Sequence, residues 1–325
     1  MRLEELDARA AFAVLGPGFF ADGRWRWFEP GADGDATLWL ATYDGAPSRV
    51  RGALRPFAPE WTTGPELIVE LDDGGFEEKV SRIRERIAAG DVYQVNLTVR
   101  AKVTARSGAE VLARLCAHAV PRFAAWVRLP GVEEFVSGSP ELLVETAGAW
   151  VHAEPMKGTA APGGRNALEA SGKDQAELAM ITDLTRNDLQ QLCVPGSVRV
   201  VAARRFIELP YVVQAVSDVE GALRPGVTPA DVLRVMHPGG SVTGAPRPAA
   251  MAVIAELEPT PRRFYCGTLG LETAGAFRAA LLIRTATRRG DDTWEYGVGG
   301  GITWDSEPKA ELDEVHLKLG ALRRS

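Results

Sequence analysis

Residues 296–318 read YGVGGGITWDSEPKAELDEVHLK, and this stretch constrains the fold more than any other. Its first half holds Gly297, Gly299, Gly300 and Gly301, where the missing Cβ lets backbone amides approach an anion closely or take positive φ. Its second half predicts a helix: Asp305 or Ser306 can cap it, Pro308 suits a first turn whose N–H would be orphaned anyway, and Ala310 onward is helix-forming. On that helix Glu311, Glu314 and Lys318 fall at i, i+3 and i+7 and share one face. Leu312, Val315 and Leu319 form an apolar stripe beside them. The face reads either as a solvated Glu–Lys pair, worth roughly 0.2–0.5 kcal/mol, or as a metal- and anion-binding surface beside a glycine nest.

Composition narrows the classes. A chain of 325 residues, 46% of them hydrophobic, forms one large domain or two with a substantial core. A net charge of −6 gives no general attraction for nucleic acid or an anionic membrane, so any acidic ligand must be held by local cations. Cys116, Cys193 and Cys266 are odd in number and lack C-x-x-C spacing, which argues against a disulfide framework or a zinc site. The N-terminal MRLEELDARA lacks a basic region followed by an apolar core, and no run is long enough to span a membrane. The expectation is a soluble cytoplasmic protein. Only six of the 37 basic residues are Lys, so Lys157 and Lys318 stand where this chain usually places Arg. Arg keeps its proton, whereas a buried Lys can lose one and act as a nucleophile.

Residues 1–75 read as a short β-rich N-terminal region with strands such as 37–42 (TLWLAT) and 66–71 (ELIVEL), packed on a core formed by 76–325. Helical spacing of Val80, Ile83 and Ile87 predicts a helix over 76–89, ended by Gly90. The strand 92–103 then alternates, with Tyr93, Val95, Leu97 and Val99 on one face and Gln94, Asn96 and Thr98 on the other, a polar face either solvated or lining a pocket. Glu141 lies at a strand entrance after Pro140, where burial would raise its pKa and suit it to general-acid work. Lys157 lies between Met156, which follows Pro155, and Gly158; fixed φ before it and a permissive residue after it would hold its side chain at a set angle. A long helix over 171–191 carries Asp174, Glu177, Asp183 and Asp188 among Leu178, Ile181 and Leu184, carboxylates that are costly to bury unless paired or metal-bound. The loop HPGGSVTGAP offers Ser241, Thr243 and glycines before a helix, without the spacing or the Lys of a phosphate loop.

The ordered set GDVYQVNL, GSPELL, EPMKGT, ELAMITDLTRNDL, PGSVRV, HPGGSVTGAPRPAAM, ELEPTPRRFYCGTLG, LIRTA and GGGITWDSEPKAELDEVHLK resembles the chorismate-utilising enzymes, from about residue 76 to the C-terminus. That family includes anthranilate synthase component I, aminodeoxychorismate synthase component I, isochorismate synthases and salicylate synthases. The resemblance implies an α/β (α+β) fold of two facing, mostly antiparallel β-sheets wrapped by helices, with chorismate and Mg²⁺ bound between them. It implies Glu177, Glu311 and Glu314 as metal ligands. It implies Arg284, Lys318, Tyr265, Thr243, Gln94 and Gly299, Gly300 and Gly301 around the substrate. Glu141 is implied as the general acid for the C4 hydroxyl.

Two positions choose among the family's reactions. Isochorismate and salicylate synthases carry a water-activating Lys where this chain has Gln94, and a neutral amide is no such base. Anthranilate synthases typically read P-I-A-G-T where this chain reads Pro155-Met156-Lys157-Gly158-Thr159, and Lys there marks the aminodeoxychorismate synthases. The expectation is conversion of chorismate and ammonia to 4-amino-4-deoxychorismate, with ammonia from a separate glutamine amidotransferase subunit. Anthranilate synthesis and binding without turnover are the alternatives. Leu178, Gln214 and Arg247 depart from the family's usual His or Asn, His, and Lys.

Overall fold

The computed structural model describes residues 3–31, 33–60, 66–209 and 212–323. The chain begins with helix α1 (Leu3–Asp7) and strands β1 (Phe12–Leu15), β2 (Arg26–Pro30), β3 (Ala36–Ala41), β4 (Ser48–Pro56) and β5 (Ile68–Asp72). Helix α2 (Phe76–Ala88), the long strand β6 (Gln94–Thr104) and helix α3 (Gly108–Cys116) follow. Strands β7 (Phe123–Arg128), β8 (Phe135–Ser139), β9 (Leu142–Ala147), β10 (Trp150–Ala153) and β11 (Met156–Ala160) lead to helices α4 (Arg165–Ala170) and α5 (Gly172–Gln190). The hairpin β12 (Arg199–Leu209) and β13 (Val212–Ala222) precedes α6 (Pro229–Met236), the short β14 (Gly244–Ala245) and α7 (Arg247–Leu257). Strands β15 (Thr268–Thr273), β16 (Ala276–Leu281), β17 (Thr285–Arg288) and β18 (Thr293–Ile302) and helix α8 (Pro308–Arg323) complete it.

Every strand pairing is antiparallel, and together the strands form one network with two arms. The first arm runs β5-β6-β18-β17-β8-β7-β1. The second runs β4-β3-β15-β16-β9-β10-β13 and carries β11 and β12 on β13. Strand β2 joins them by pairing with both β1 and β4. The arms face each other. Leu15, Phe123, Val127 and Phe135 from the first meet Leu38, Leu40, Leu142, Leu269 and Leu271 from the second in one buried cluster. The expected pair of facing antiparallel sheets is therefore present, as two halves of a continuous ladder. No helix among the described residues is long and apolar enough to cross a membrane.

Strand β6 organises the site. Its Val95, Leu97 and Val99 side chains enter the main core with Phe76, Val80 and Ile83 of α2 and Val315 and Leu319 of α8. Its polar face is buried as well: Gln94, Asn96 and Thr98 are all shielded from solvent, which decides for the pocket over the solvated face. Tyr93, expected inward with Val95, is instead 68% exposed, because the ladder begins one residue later and Tyr93 N–H donates to Ala245 O at the edge. Strand β18 runs antiparallel to β6, setting Gly299 across from Thr98, Gly300 across from Leu97 and Gly301 across from Asn96. Helix α8 starts at Pro308, and the Ser306 hydroxyl accepts Thr303 N–H, closing the turn before the helix.

Candidate active site

Lys157 stands on a β-bulge. The register of β11 against β13 slips between Met156 and Thr159, and Gly158 takes φ +89°. A Cβ on Gly158 would lie 2.8 Å from Leu168 Cδ1 and 3.1 Å from Asp174 Oδ1, so this position needs glycine for space as well as for φ. The bulge turns the Lys157 ammonium toward β6, where it donates to Asn96 Oδ1 at 3.0 Å and pairs with Glu177 Oε2 at 3.4 Å. Gln94 Nε2 donates to the same Glu177 oxygen at 3.4 Å.

The glycine run forms a cradle beneath these groups. A Cβ on Gly301 would meet Gln94 Nε2 at 2.3 Å, Lys157 Nζ at 2.6 Å and Glu177 Oε2 at 3.1 Å. One on Gly300 would meet Glu311 Oε2 at 3.5 Å, Lys318 Nζ at 3.8 Å and Glu314 Oε1 at 4.0 Å. Three glutamates from α5 and α8 thus converge over two adjacent residues without side chains. Gly299 is fixed by crowding, since its Cβ would lie 2.1 Å from Leu97 O, and its own carbonyl accepts from Lys318 Nζ at 2.7 Å. Burial raises the Glu314 carboxyl, but the Lys318 ammonium at 2.7 Å more than offsets this and holds it below its ordinary value.

Glu141 lies just before β9, buried, with its backbone N–H donating to Ser139 Oγ and its Oε1 accepting from Ser241 Oγ at 2.6 Å. Burial pushes its pKa up to about 7, while the Ser241 hydrogen bond and the Lys157 charge pull against that rise. It lines a cleft with Pro155, Ile181, Asp188 and Gly239. The loop carrying Ser241 is stitched to β6: Thr243 O accepts Asn96 N–H, and the Arg262 guanidinium donates to Val242 O and Asn96 O while paired to Glu258. Thr243 spends its hydroxyl on Gly239 O within the loop.

Arg284 and Tyr265 lie farther along β18, beside Tyr296 and Gly297. Arg284 is half-buried in the left-handed region at φ +52°, near Tyr296, and among the described residues its guanidinium has no ion pair or hydrogen bond. A non-glycine residue in that region is strained, a condition usually kept where position matters. Tyr265 lays its ring on Gly297, with the Arg100 guanidinium 5.3 Å from the ring centroid. Lys157, Gln94 and Glu177 thus gather at Gly301, and Glu311, Glu314 and Lys318 at the adjacent Gly300, while Thr243 and Tyr265 make their contacts apart from them.

The donor chemistry fits Mg²⁺: carboxylate oxygens around a cradle that any side chain would fill. Buried Gln94 Oε1, Asn96 Nδ2 and Gln214 Oε1 have no partner, as expected of groups that meet a polar ligand. Gln214 sits on β13 across from Thr159, two residues beyond Lys157. The departures at 178 and 247 have local accounts. Leu178 packs with Leu168, Val213 and Ala215, and Arg247 pairs with Asp188 and donates to Val235 O. Sequence reasoning passed over Lys173, whose ammonium meets Glu311 Oε1 at 2.7 Å. The scarcity of lysine that marked Lys157 and Lys318 would have marked it too. The Ser241–Glu141 bond had no local signal.

The chorismate binding enzyme family matches residues 42–324. Anthranilate synthase component 1 of Aeropyrum pernix is 34% identical over 321 residues, covering 93% of this chain and 72% of that protein. Aminodeoxychorismate synthase component 1 of Bacillus subtilis is 32% identical over 281 residues, covering 83% of this chain and 59% of its own length. Against several other curated relatives the chain spans little more than half their length. The fold is shared with anthranilate synthase component I from Streptococcus pneumoniae, at TM-score 0.78 and 21% identity over 98% of this chain and 91% of that one. The chain is therefore a member of the chorismate-binding enzyme family, a chorismate-utilising enzyme.

Proposed function

We propose that the chain acts as aminodeoxychorismate synthase component I, with residues 76–325 as the catalytic part and 1–75 packed on it. The observation that carries this reading is Lys157: a lysine on a glycine-closed bulge, its ammonium aimed at the cradle between Asn96 and Glu177. An alkylamine so held is a nucleophile in waiting. Gln94, an amide, stands where water activation would need a base, which disfavours hydration.

In this reading Lys157 Nζ forms a bond to ring C2 as the C4–oxygen bond breaks, and Glu141, protonated near neutrality, gives the departing hydroxyl its proton so that water leaves. Ammonia then bonds at C4 and the C2–nitrogen bond breaks, returning the lysine amine. Arg284, Lys318 and the backbone of Gly299, Gly300 and Gly301 take the substrate's two carboxylates, and Gln94, Thr243 and Tyr265 shape its seat. Glu177, Glu311 and Glu314 would hold Mg²⁺, which supplies charge to neutralise the ring carboxylate. Ammonia comes from a separate glutamine amidotransferase subunit, as the component 1 names of the relatives suggest. A cytoplasmic role in forming the precursor of 4-aminobenzoate and folate follows from the same reading.

The name of the Aeropyrum relative favours a second reading, anthranilate synthesis. Mass analysis of the product from chorismate, Mg²⁺ and an ammonium salt separates the two. We expect 4-amino-4-deoxychorismate with the enolpyruvyl group retained; anthranilate with released pyruvate would replace this reading with the second. Chorismate returned unchanged would favour a binding-only relative.

A further inference from the structure

The three cradle glutamates are balanced by three lysines, in a chain with six lysines among its 37 basic residues. Glu177 faces Lys157 at 3.4 Å, Glu311 faces Lys173 at 2.7 Å, and Glu314 faces Lys318 at 2.7 Å. Several buried carboxylates elsewhere are tied with arginine: Glu258 to Arg262, Asp188 to Arg247, Glu154 to Arg122 and Arg205. Arginine's planar fork grips a carboxylate bidentately, whereas lysine is a compact point charge on a flexible stem and lets go more readily. Lysine clusters where the carboxylates must be released.

Lys157 and Lys318 face the cradle itself; Lys173 does not. It is the second residue of α5, where the positive end of the helix disfavours a cation. Its side chain is 40% exposed and that of Glu311 4%, so a solvent-reaching ammonium caps a buried oxygen. Glu311 spends Oε1 on Lys173 and turns Oε2 to the space over Gly300.

We propose that Lys173 is a tethered counter-ion at the metal seat: it neutralises Glu311 in the metal-free protein, and its charge opposes the entry of a divalent cation. This rests on the reading of Glu177, Glu311 and Glu314 as metal ligands. Three carboxylates and three ammonium groups cancel before any ion enters. A divalent ion then adds two charges to a partly dry site, and Lys173, bonded among the described residues to Glu311 alone while the similarly exposed Lys318 is also held by Gly299 O, is the ammonium that can withdraw to water. The pair keeps the carboxylates together and keeps the ion exchangeable.

The test is direct binding of Mn²⁺, followed by its electron paramagnetic resonance, to the wild type, Lys173→Met, Lys173→Arg and Glu311→Gln, with thermal unfolding in chelator and in saturating Mg²⁺. Lys173→Met should bind Mn²⁺ about 10-fold tighter, equivalent to about 1.4 kcal/mol. Lys173→Arg, which keeps the charge, should bind no tighter than wild type. In chelator Lys173→Met should unfold at a lower temperature than wild type, and saturating Mg²⁺ should close that gap. Unchanged or weaker binding by a folded Lys173→Met overturns the proposal, as does equal tightening by Lys173→Arg. A wild type that binds no ion, or a Glu311→Gln that binds as well as wild type, sinks the metal reading and the proposal with it.

Discussion

Two clusters of carboxylates share this fold, one around His152 on β9, β10 and β13 and one over the Gly300–Gly301 cradle, and they are satisfied in opposite ways. In the first, ligand atoms of His152, Glu154 and Asp218 lie within 4.8 Å of one another, a spacing that could hold a metal ion. Yet every oxygen is taken. Glu154 is held by Arg122 and Arg205, Asp218 by Arg205 and His152, and Glu145 by His152 and Arg278. In the cradle, each of Glu177, Glu311 and Glu314 bonds through one oxygen among the described residues, and that bond goes to lysine or an amide. The difference teaches that closeness of donors does not make a metal site. On the proposed reading of the cradle, what matters is a free donor over open space, with counter-charges that can leave.

The sharpest way to break this comparison is to neutralise one carboxylate in each cluster. Glu311→Gln should lose turnover by about 100-fold or more with the fold intact, since a metal ligand contributes several kcal/mol at the transition state. Glu154→Gln should keep its activity per folded molecule and instead lose about 1–3 kcal/mol of stability, discounted because Arg122 and Arg205 are 37% and 39% exposed. Steady-state rates and denaturant unfolding on both variants decide it. A folded Glu154→Gln without turnover would move the functional centre to the arginine network.

Next in size is Glu141→Gln. Burial raises the Glu141 carboxyl from 4.5 to about 7, so the fold favours its protonated form. That stability is fully present below about 4.5 and lost as pH rises through about 7. At pH 8 the glutamine, still able to accept from Ser241, should make the protein more stable by about 1–3 kcal/mol while removing the acid and with it turnover. The wild-type rate should fall above about pH 7 if Glu141 must be protonated. A Glu141→Gln variant that is both destabilised at pH 8 and fully active would contradict both assignments.

The smallest effect sits in the arginine network. Burial lowers the His152 pKa, but Glu145 and Asp218 outweigh it and hold it above the usual imidazole value. Its contribution is present below about pH 6.5 and is lost as pH rises through the raised folded value. His152→Gln should therefore cost about 0.5–1 kcal/mol at pH 5.5 and nearly nothing at pH 9, with turnover unchanged. Unfolding curves at the two pH values measure it.

Much of this was legible in the sequence, because much of it is local. Alternation in GDVYQVNLTVRAKV gave β6, and apolar spacing gave α2. The bulge at Lys157 could be read from the Gly that follows it, since one residue both permits φ +89° and leaves room for Leu168 and Asp174. What was not legible depends on distant partners. The burial of Gln94 and Asn96 depends on β14 and β18, which pair with β6 at those residues, and the raised Glu141 pKa on burial by distant parts of the chain, a rise that a serine one hundred residues away opposes. The union of the two arms through β1, β2 and β4 rests on pairings such as Ala13 with Val127, for which an apolar strand carries no address.

The claim at the centre of this account is that the Lys157 amine, rather than ammonia, attacks first. Intact-protein mass spectrometry after mixing with chorismate and Mg²⁺, with ammonia rigorously excluded, tests it most directly. The account predicts a species heavier than the free chain by the mass of chorismate less one water, mapped to Lys157 by peptide digestion, absent from Lys157→Arg and discharged on adding ammonium salt. An unmodified chain that still forms 4-amino-4-deoxychorismate once ammonium is supplied, together with a Lys157→Arg variant of equal rate, would contradict it.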